Sequence, residues 1–152
     1  MNRYPKSVPL SAAILLGGLI LGALAVRAQP PASRFSGDSQ LLARVIRAEA
    51  GAEPYVGQVA VGAVILNRTQ SSRFPHSIAG VVYQPHAFES VSNGTINQPP
   101  TSSCVKAARA ALNGWDPSGG ALFFFNPAKV GARSYIWTRR IIQQIGKHSF
   151  SM

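Results

Sequence analysis

Leu42, Val45 and Ile46 fall at i, i+3 and i+4, and Glu49 continues the same stripe at i+7. That period predicts one face of a helix, with Asp38 or Ser39 as its N-cap. A carboxylate thus points where the core points, near a helix end. It belongs at a cleft edge, because an unpaired buried charge is costly. Gly51 and Ala52 break the run, and Pro54 suits the first position of a second helix. Residues 54–68 are apolar on almost every side from Val59 to Leu66, the pattern of a central buried helix. Ser77 predicts the cap of a short helix over 78–83, and Gln84 to Glu89 reads as irregular chain. Residues 92–102 read as a polar loop with Asn93-Gly94 as its turn. A further helix starts at Ser102 or Ser103, turns Cys104, Val105, Ala108, Ala111 and Leu112 inward, and stops at Asn113-Gly114.

Beyond Gly119-Gly120 the texture changes. Residues 121–125 and 135–138 are β-like in composition and are expected to pair as a hairpin across residues 126–134. Residues 140–145 are expected to form a last short helix ended by Gly146. The expectation is an α+β fold, mostly helical, with one small sheet.

The N-terminal segment has a different pattern. Arg3 and Lys6 precede 19 uncharged residues, Val8 to Val26, a stretch that ends in a small-residue site, Ala23-Leu24-Ala25 or Val26-Arg27-Ala28. Residues 1–28 read as a secretory signal peptide, or as an uncleaved membrane anchor, since such a stretch just spans a bilayer. Residues 29–38 read as a linker and 39–152 as one domain.

Composition narrows the chemistry. The 152 residues carry a net charge of +10 and a single cysteine, Cys104. Without residues 1–28 the balance is 12 basic against 5 acidic side chains, or +7. One thiol excludes a disulfide scaffold and a zinc–cysteine cluster. A basic exported domain meets anionic wall polymer more readily than nucleic acid, and contact with membrane is expected only through the leader. The charge also reads as a simple aid to solubility. His76, His86 and His148 lack metal-ligand spacing, so neither metal nor cofactor is expected. Cys104 sits on an apolar helix face and reads as an inert core thiol. The carboxylates are Asp38, Glu49, Glu53, Glu89 and Asp116. Glu53, beside Pro54, lies where an acidic group stabilises a helix N-terminus. Glu49 has no such structural role and is the candidate acid–base group. Among the aromatic residues most read as core, with one or two left to line a groove.

Several segments in order resemble the SleB/CwlJ cell-wall hydrolase family, in particular the catalytic domain of SleB-like spore cortex-lytic enzymes. They are Ala48-Glu49-Ala50, Glu53-Pro54-Tyr55-x-Gly57-Gln58-Val59-Ala60, Ile65-Leu66-Asn67-Arg68 and Phe74-Pro75-x-Ser77-Ile78-Ala79-Gly80-Val81. They continue through Gln84-Pro85-x-Ala87-Phe88, Leu112-Asn113-Gly114-Trp115-Asp116-Pro117, Phe125-Asn126-Pro127, Ile136-Trp137 and Ile145-Gly146-Lys147-His148-x-Phe150. The resemblance covers about residues 40–152.

This resemblance implies a lysozyme-like, lytic transglycosylase-like fold. It implies cleavage of the MurNAc–GlcNAc bond of peptidoglycan, with spore cortex as the expected substrate and the cell envelope as the location. It places the essential glutamate at Glu49. It implies weaker substrate-binding roles for Gln84, Phe88, Phe125, Asn126, Tyr135 and Trp137, and for His148 either a ligand role or a structural one. The family signature has glycine where this chain has Ala52, with Gly51 one position earlier, which predicts an altered turn at the cleft edge. The longer members carry a wall-binding domain, so a regulatory or targeting protein is a further expected partner. Two other readings stay open: a hydrolytic muramidase using Glu53 or Asp116 as second carboxylate, and a non-catalytic wall-binding module.

Overall fold

The structure, a computed structural model, describes residues 37–152. The leader and most of the predicted linker lie outside the described residues. Helix α1 (Gly37–Ala50) begins two residues inside that predicted linker, and its stripe of Leu42, Val45 and Ile46 is fully buried. Helix α2 (Tyr55–Gln70) is buried along nearly its whole length, as its apolar circumference demands. It packs against both α1 and α5 (Ser102–Leu112), which also pack against each other. The three helices meet at Gly62, where a Cβ would lie 2.9 Å from Ile46 Cδ1 and 3.3 Å from Ala111 Cβ.

Short helices α3 (Ile78–Val82) and α4 (Glu89–Ser92) close the side of this bundle, and a 3-10 turn at Thr95–Asn97 follows. Ser77 caps α3 by accepting from the Gly80 N–H at 3.0 Å. Helix α5 is capped by Thr101, whose hydroxyl accepts from the Cys104 N–H at 3.3 Å. Cys104 is buried, whereas Leu112, expected on the inner face, is exposed at the C-terminal end of α5. No helix among the described residues is long and apolar enough to cross a membrane.

The sheet differs from the predicted hairpin. Strands β1 (Phe123–Phe125), β2 (Ile141–Ile145) and β3 (His148–Ser151) form an antiparallel sheet in the order β1-β3-β2. Residues 140–145, expected as helix, include β2, and residues 135–138, expected as strand, form a 3-10 turn. Both corrections have one cause. Gly146 adopts φ +59°, the left-handed first position of a type II′ turn, and Gly146-Lys147 reverses the chain between Ile145 and His148. The tight hairpin therefore forms between neighbours in sequence, and β1 takes the other edge of β3. Residues 135–138 are left without a partner strand. Ser134 caps them instead, accepting from the Ile136 N–H at 3.4 Å. All four residues of β3 are buried, as expected of a central strand. Phe150 joins Val61 and Val64 of α2 in a second core layer between helix and sheet.

Candidate active site

Glu49 stands in the last turn of α1, half-buried, where the apolar stripe runs out into an open groove. Its Oε1 accepts a 2.6 Å hydrogen bond from the Ser90 hydroxyl. Ser90 is buried in the first turn of α4. Phe88, just before it, anchors that turn in the core: it packs 6.4 Å from Phe124 and lies under the Arg68 guanidinium at 5.4 Å.

The groove has two lobes of about 490 and 340 Å³. Glu49, Asn126, Lys129 and His148 line both, so Glu49 sits at the junction. Arg47 and Lys147 make the first lobe cationic, while Glu89, Ser90 and Phe125 line the second. Asn126 is presented by a turn that its own side chain closes, accepting from the Ala128 N–H at 2.9 Å. His148 opens β3 beside Phe124, ring to ring at 5.3 Å. Burial lowers its pKa below the ordinary histidine value; Glu53 opposes the shift and Lys129 adds to it. The imidazole is therefore neutral at pH 7, with its buried Nδ1 lacking a partner.

Glu53 also borders the first lobe but does not cap α2, which starts without a side-chain cap. Its Oε2 accepts from the Lys147 N–H at 2.8 Å and pins the β2–β3 turn to the start of α2. The tertiary partner outcompetes the local one because Pro54 leads the backbone of Glu53 toward Gly146, where any Cβ would collide with the same carboxylate. At Gly51 a Cβ would come within 2.5 Å of the Arg47 carbonyl, so the glycine's position in this turn is a steric requirement.

Asp116 lies outside the groove. It accepts from the Ser118 N–H (2.8 Å) and hydroxyl (2.5 Å), from Asn67 Nδ2 (2.9 Å) and from the Gly120 N–H (2.9 Å). Burial alone would raise its pKa, but these bonds outweigh burial and hold it below the usual carboxylate value. Asn67 and Arg68 thus tie residues 116–122 to α2, with Arg68 Nε donating to the Leu122 carbonyl at 2.7 Å.

The residues singled out from sequence separate into three groups. Glu49, Phe125 and Asn126 come together at the groove. Trp137 packs edge-on to Phe125 at 5.1 Å but lines neither lobe, and Tyr135 stands on the same 3-10 turn, 72% exposed. Phe88 is core, and Gln84 lies in the turn after α3 without lining either lobe. Ser90 was invisible in sequence, since a lone serine after a glutamate carries no periodic or motif signal. Lys129 stands in none of the segments that carry the resemblance, and Lys147 stands in one of them, beside His148, with no feature of its own to single it out.

Residues 52–151 match the family model described as Cell Wall Hydrolase. The chain belongs to this family. Among its relatives, a spore cortex-lytic enzyme of Bacillus cereus is 49% identical over 113 residues, covering 74% of this chain and 43% of that enzyme. The spore cortex-lytic enzyme of Bacillus subtilis (strain 168) is 47% identical over 126 residues, 83% of this chain and 41% of the enzyme. The chain therefore spans about two fifths of these relatives. The crystallised catalytic domain of the Bacillus cereus SleB protein superposes with a TM-score of 0.71 at 48% identity, over 76% of this chain and 89% of that domain. That of the germination-specific lytic transglycosylase SleB from Bacillus anthracis gives 0.73 at 45% identity, over 79% and 98%. The Cell Wall Hydrolase fold here is accordingly that of the SleB catalytic domain: helix-rich with a small three-stranded sheet. The family-model match begins at Ala52, three residues after Glu49.

Proposed function

We propose that the protein is an exported lytic transglycosylase that cleaves the MurNAc–GlcNAc bond of peptidoglycan, with spore cortex as substrate and residues 1–28 as the exporting leader. The observation that carries this reading is the place of Glu49 at the junction of two groove lobes, one carboxylate oxygen held by Ser90. A glycan strand laid through both lobes crosses the carboxyl group at mid-length. Glu49 then protonates the glycosidic oxygen as the bond from C1 breaks. The resulting carboxylate takes the proton of the muramoyl 6-hydroxyl as that oxygen closes onto C1, giving a 1,6-anhydro end. One carboxyl group serves both steps. Glu53 and Asp116 support this assignment by being committed elsewhere, to the β2–β3 turn and to the 116–122 loop. Arg47, Lys129 and Lys147 suit an anionic wall polymer.

A second reading rests on Glu89, which is exposed and lines the same lobe as Glu49. There it would activate water and make the enzyme a hydrolytic muramidase. Mass analysis of the products from purified cortex separates the two. Products lighter by one water carry anhydro ends and support the transglycosylase; reducing ends that disappear in Glu89→Gln support the muramidase.

A further inference from the structure

Away from the groove lining, three arginines converge on one aromatic ring. The guanidinium carbons of Arg68, Arg73 and Arg139 lie 5.4, 5.7 and 3.4 Å from the centroid of Phe123. Arg139 also covers the exposed Tyr135 ring at 5.4 Å. Arg68 also lies over Phe74 and Phe88 at 5.1 and 5.4 Å and Arg73 over Phe74 at 6.0 Å, so a cage of rings stacks the three cations but supplies no negative charge to balance them. Burial lowers the Arg68 pKa to about 10, and the neighbouring charge of Arg139 adds to the shift. All five carboxylate side chains of the protein lie within the described residues, and none pairs with these arginines. Glu49, Glu53 and Glu89 border the groove, Asp116 holds its own loop, and Asp38 is in the first turn of α1. The polar contacts of the cluster are few. Arg68 Nε meets the Leu122 carbonyl, Arg139 Nη1 reaches the Met152 oxygen at 3.5 Å, and the buried Arg139 Nε has no partner.

Position joins this cluster to the groove. Phe123 and Phe125 are two apart on β1, so they share a face and sit roughly 7 Å apart. Phe125 lines the groove, Trp137 packs against it, and the 3-10 turn carrying Trp137 leads to Tyr135 and Arg139.

We propose that Arg68, Arg73 and Arg139 form a carboxylate-binding subsite that holds the stem peptide of the glycan strand lying in the groove. The proposal rests on the peptidoglycan reading above. The planar guanidinium fork matches a carboxylate in geometry and charge. A stem peptide branches from the muramoyl unit and advances about 3.3 Å per extended residue. Two residues therefore bridge the distance from Phe125 to Phe123, within reach of the acidic groups of the stem. Phosphate on wall polymers offers similar chemistry, but the short distance to the groove favours the peptide.

The test is binding by the full chain carrying Glu49→Gln, so that no turnover intervenes, to acid-extracted sacculi free of wall phosphate polymers. One sample keeps its stem peptides and the other is stripped of them by an amidase. Arg73→Gln, on an exposed side chain whose loss leaves the core intact, and Arg139→Gln are each expected to weaken binding to peptide-bearing sacculi about tenfold. Binding to stripped glycan should change less than twofold, and Arg139→Lys should keep most of the affinity. Equal losses on both samples, or no loss on either, would overturn the subsite. A loss seen only when wall phosphate polymers are left in place would overturn its assignment to the peptide. If wild-type protein releases no cleaved glycan while the arginine dependence persists, the catalytic reading fails and the subsite stands.

Discussion

Replacing Ser90 by alanine removes one oxygen and isolates the role of the bond to Glu49. At 2.6 Å this is a short hydrogen bond to an ionisable group, and such bonds contribute roughly 1.5–3 kcal/mol. Without it the carboxyl group keeps its place on α1 but is free to rotate. Since about 1.4 kcal/mol is a factor of ten in rate, the turnover number of Ser90→Ala should fall about 10–100-fold. KM should hold within about threefold, because the change trims one lining hydroxyl of the second lobe and leaves the charges of both lobes in place. Glu49 remains half-exposed and can hydrogen-bond water, so the melting temperature should drop by no more than about 4 °C. The assay is initial-rate release of muropeptides from solubilised glycan strands, with thermal unfolding in parallel. A turnover number within twofold of wild type would refute the positioning role. A collapse in stability that accounts for the lost rate would show that Ser90 is structural only.

Asp116→Ala should destabilise the protein by about 1–3 kcal/mol in denaturant unfolding, because four donors lose one shared, partly buried acceptor. The folded pKa of Asp116 is lowered, so its contribution is present above the usual carboxylate value of about 4 and is lost as pH falls through the folded value. The acid limb of the wild-type stability profile should flatten in Asp116→Asn. His148 also has a lowered folded pKa, so its charging opposes folding: stability is full above about pH 6.5 and declines as pH falls below it. Melting curves of His148→Gln between pH 7 and pH 5 should lack that decline. Gly62→Val should cost about 1–3 kcal/mol by overpacking the junction of three helices, read as a shift in denaturant midpoint.

The helical bundle was legible because its signals are local and periodic. The stripe on α1, the apolar circumference of α2, and the Ser77 cap are written within a few turns of chain. Glu49 could be found the same way, as the polar member of an apolar stripe. The C-terminal third was not legible on those terms. Ile141 to Ile145 carries two glutamines and β-branched residues at either end, compatible with helix or strand, and only pairing to β3 decides it. Tyr135 to Thr138 has strand composition but no partner edge, since β2 occupies it. Glu53 looked like a helix cap because its true partner, the Lys147 N–H, lies 94 residues away in sequence. Ser90, brought to Glu49 across 41 residues by the burial of Phe88, left no trace in the local pattern.

In the proposed mechanism, Glu49 at the lobe junction is the single acid–base group for glycan cleavage. The direct test of this role is product analysis by mass after incubating purified cortex with wild-type protein and with Glu49→Gln, the folded state of each verified by thermal unfolding. Wild type should release fragments with anhydro-muramoyl ends, and Glu49→Gln should release fewer by at least about a thousandfold while melting within a few degrees of wild type. Anhydro products released at an undiminished rate by folded Glu49→Gln would contradict it.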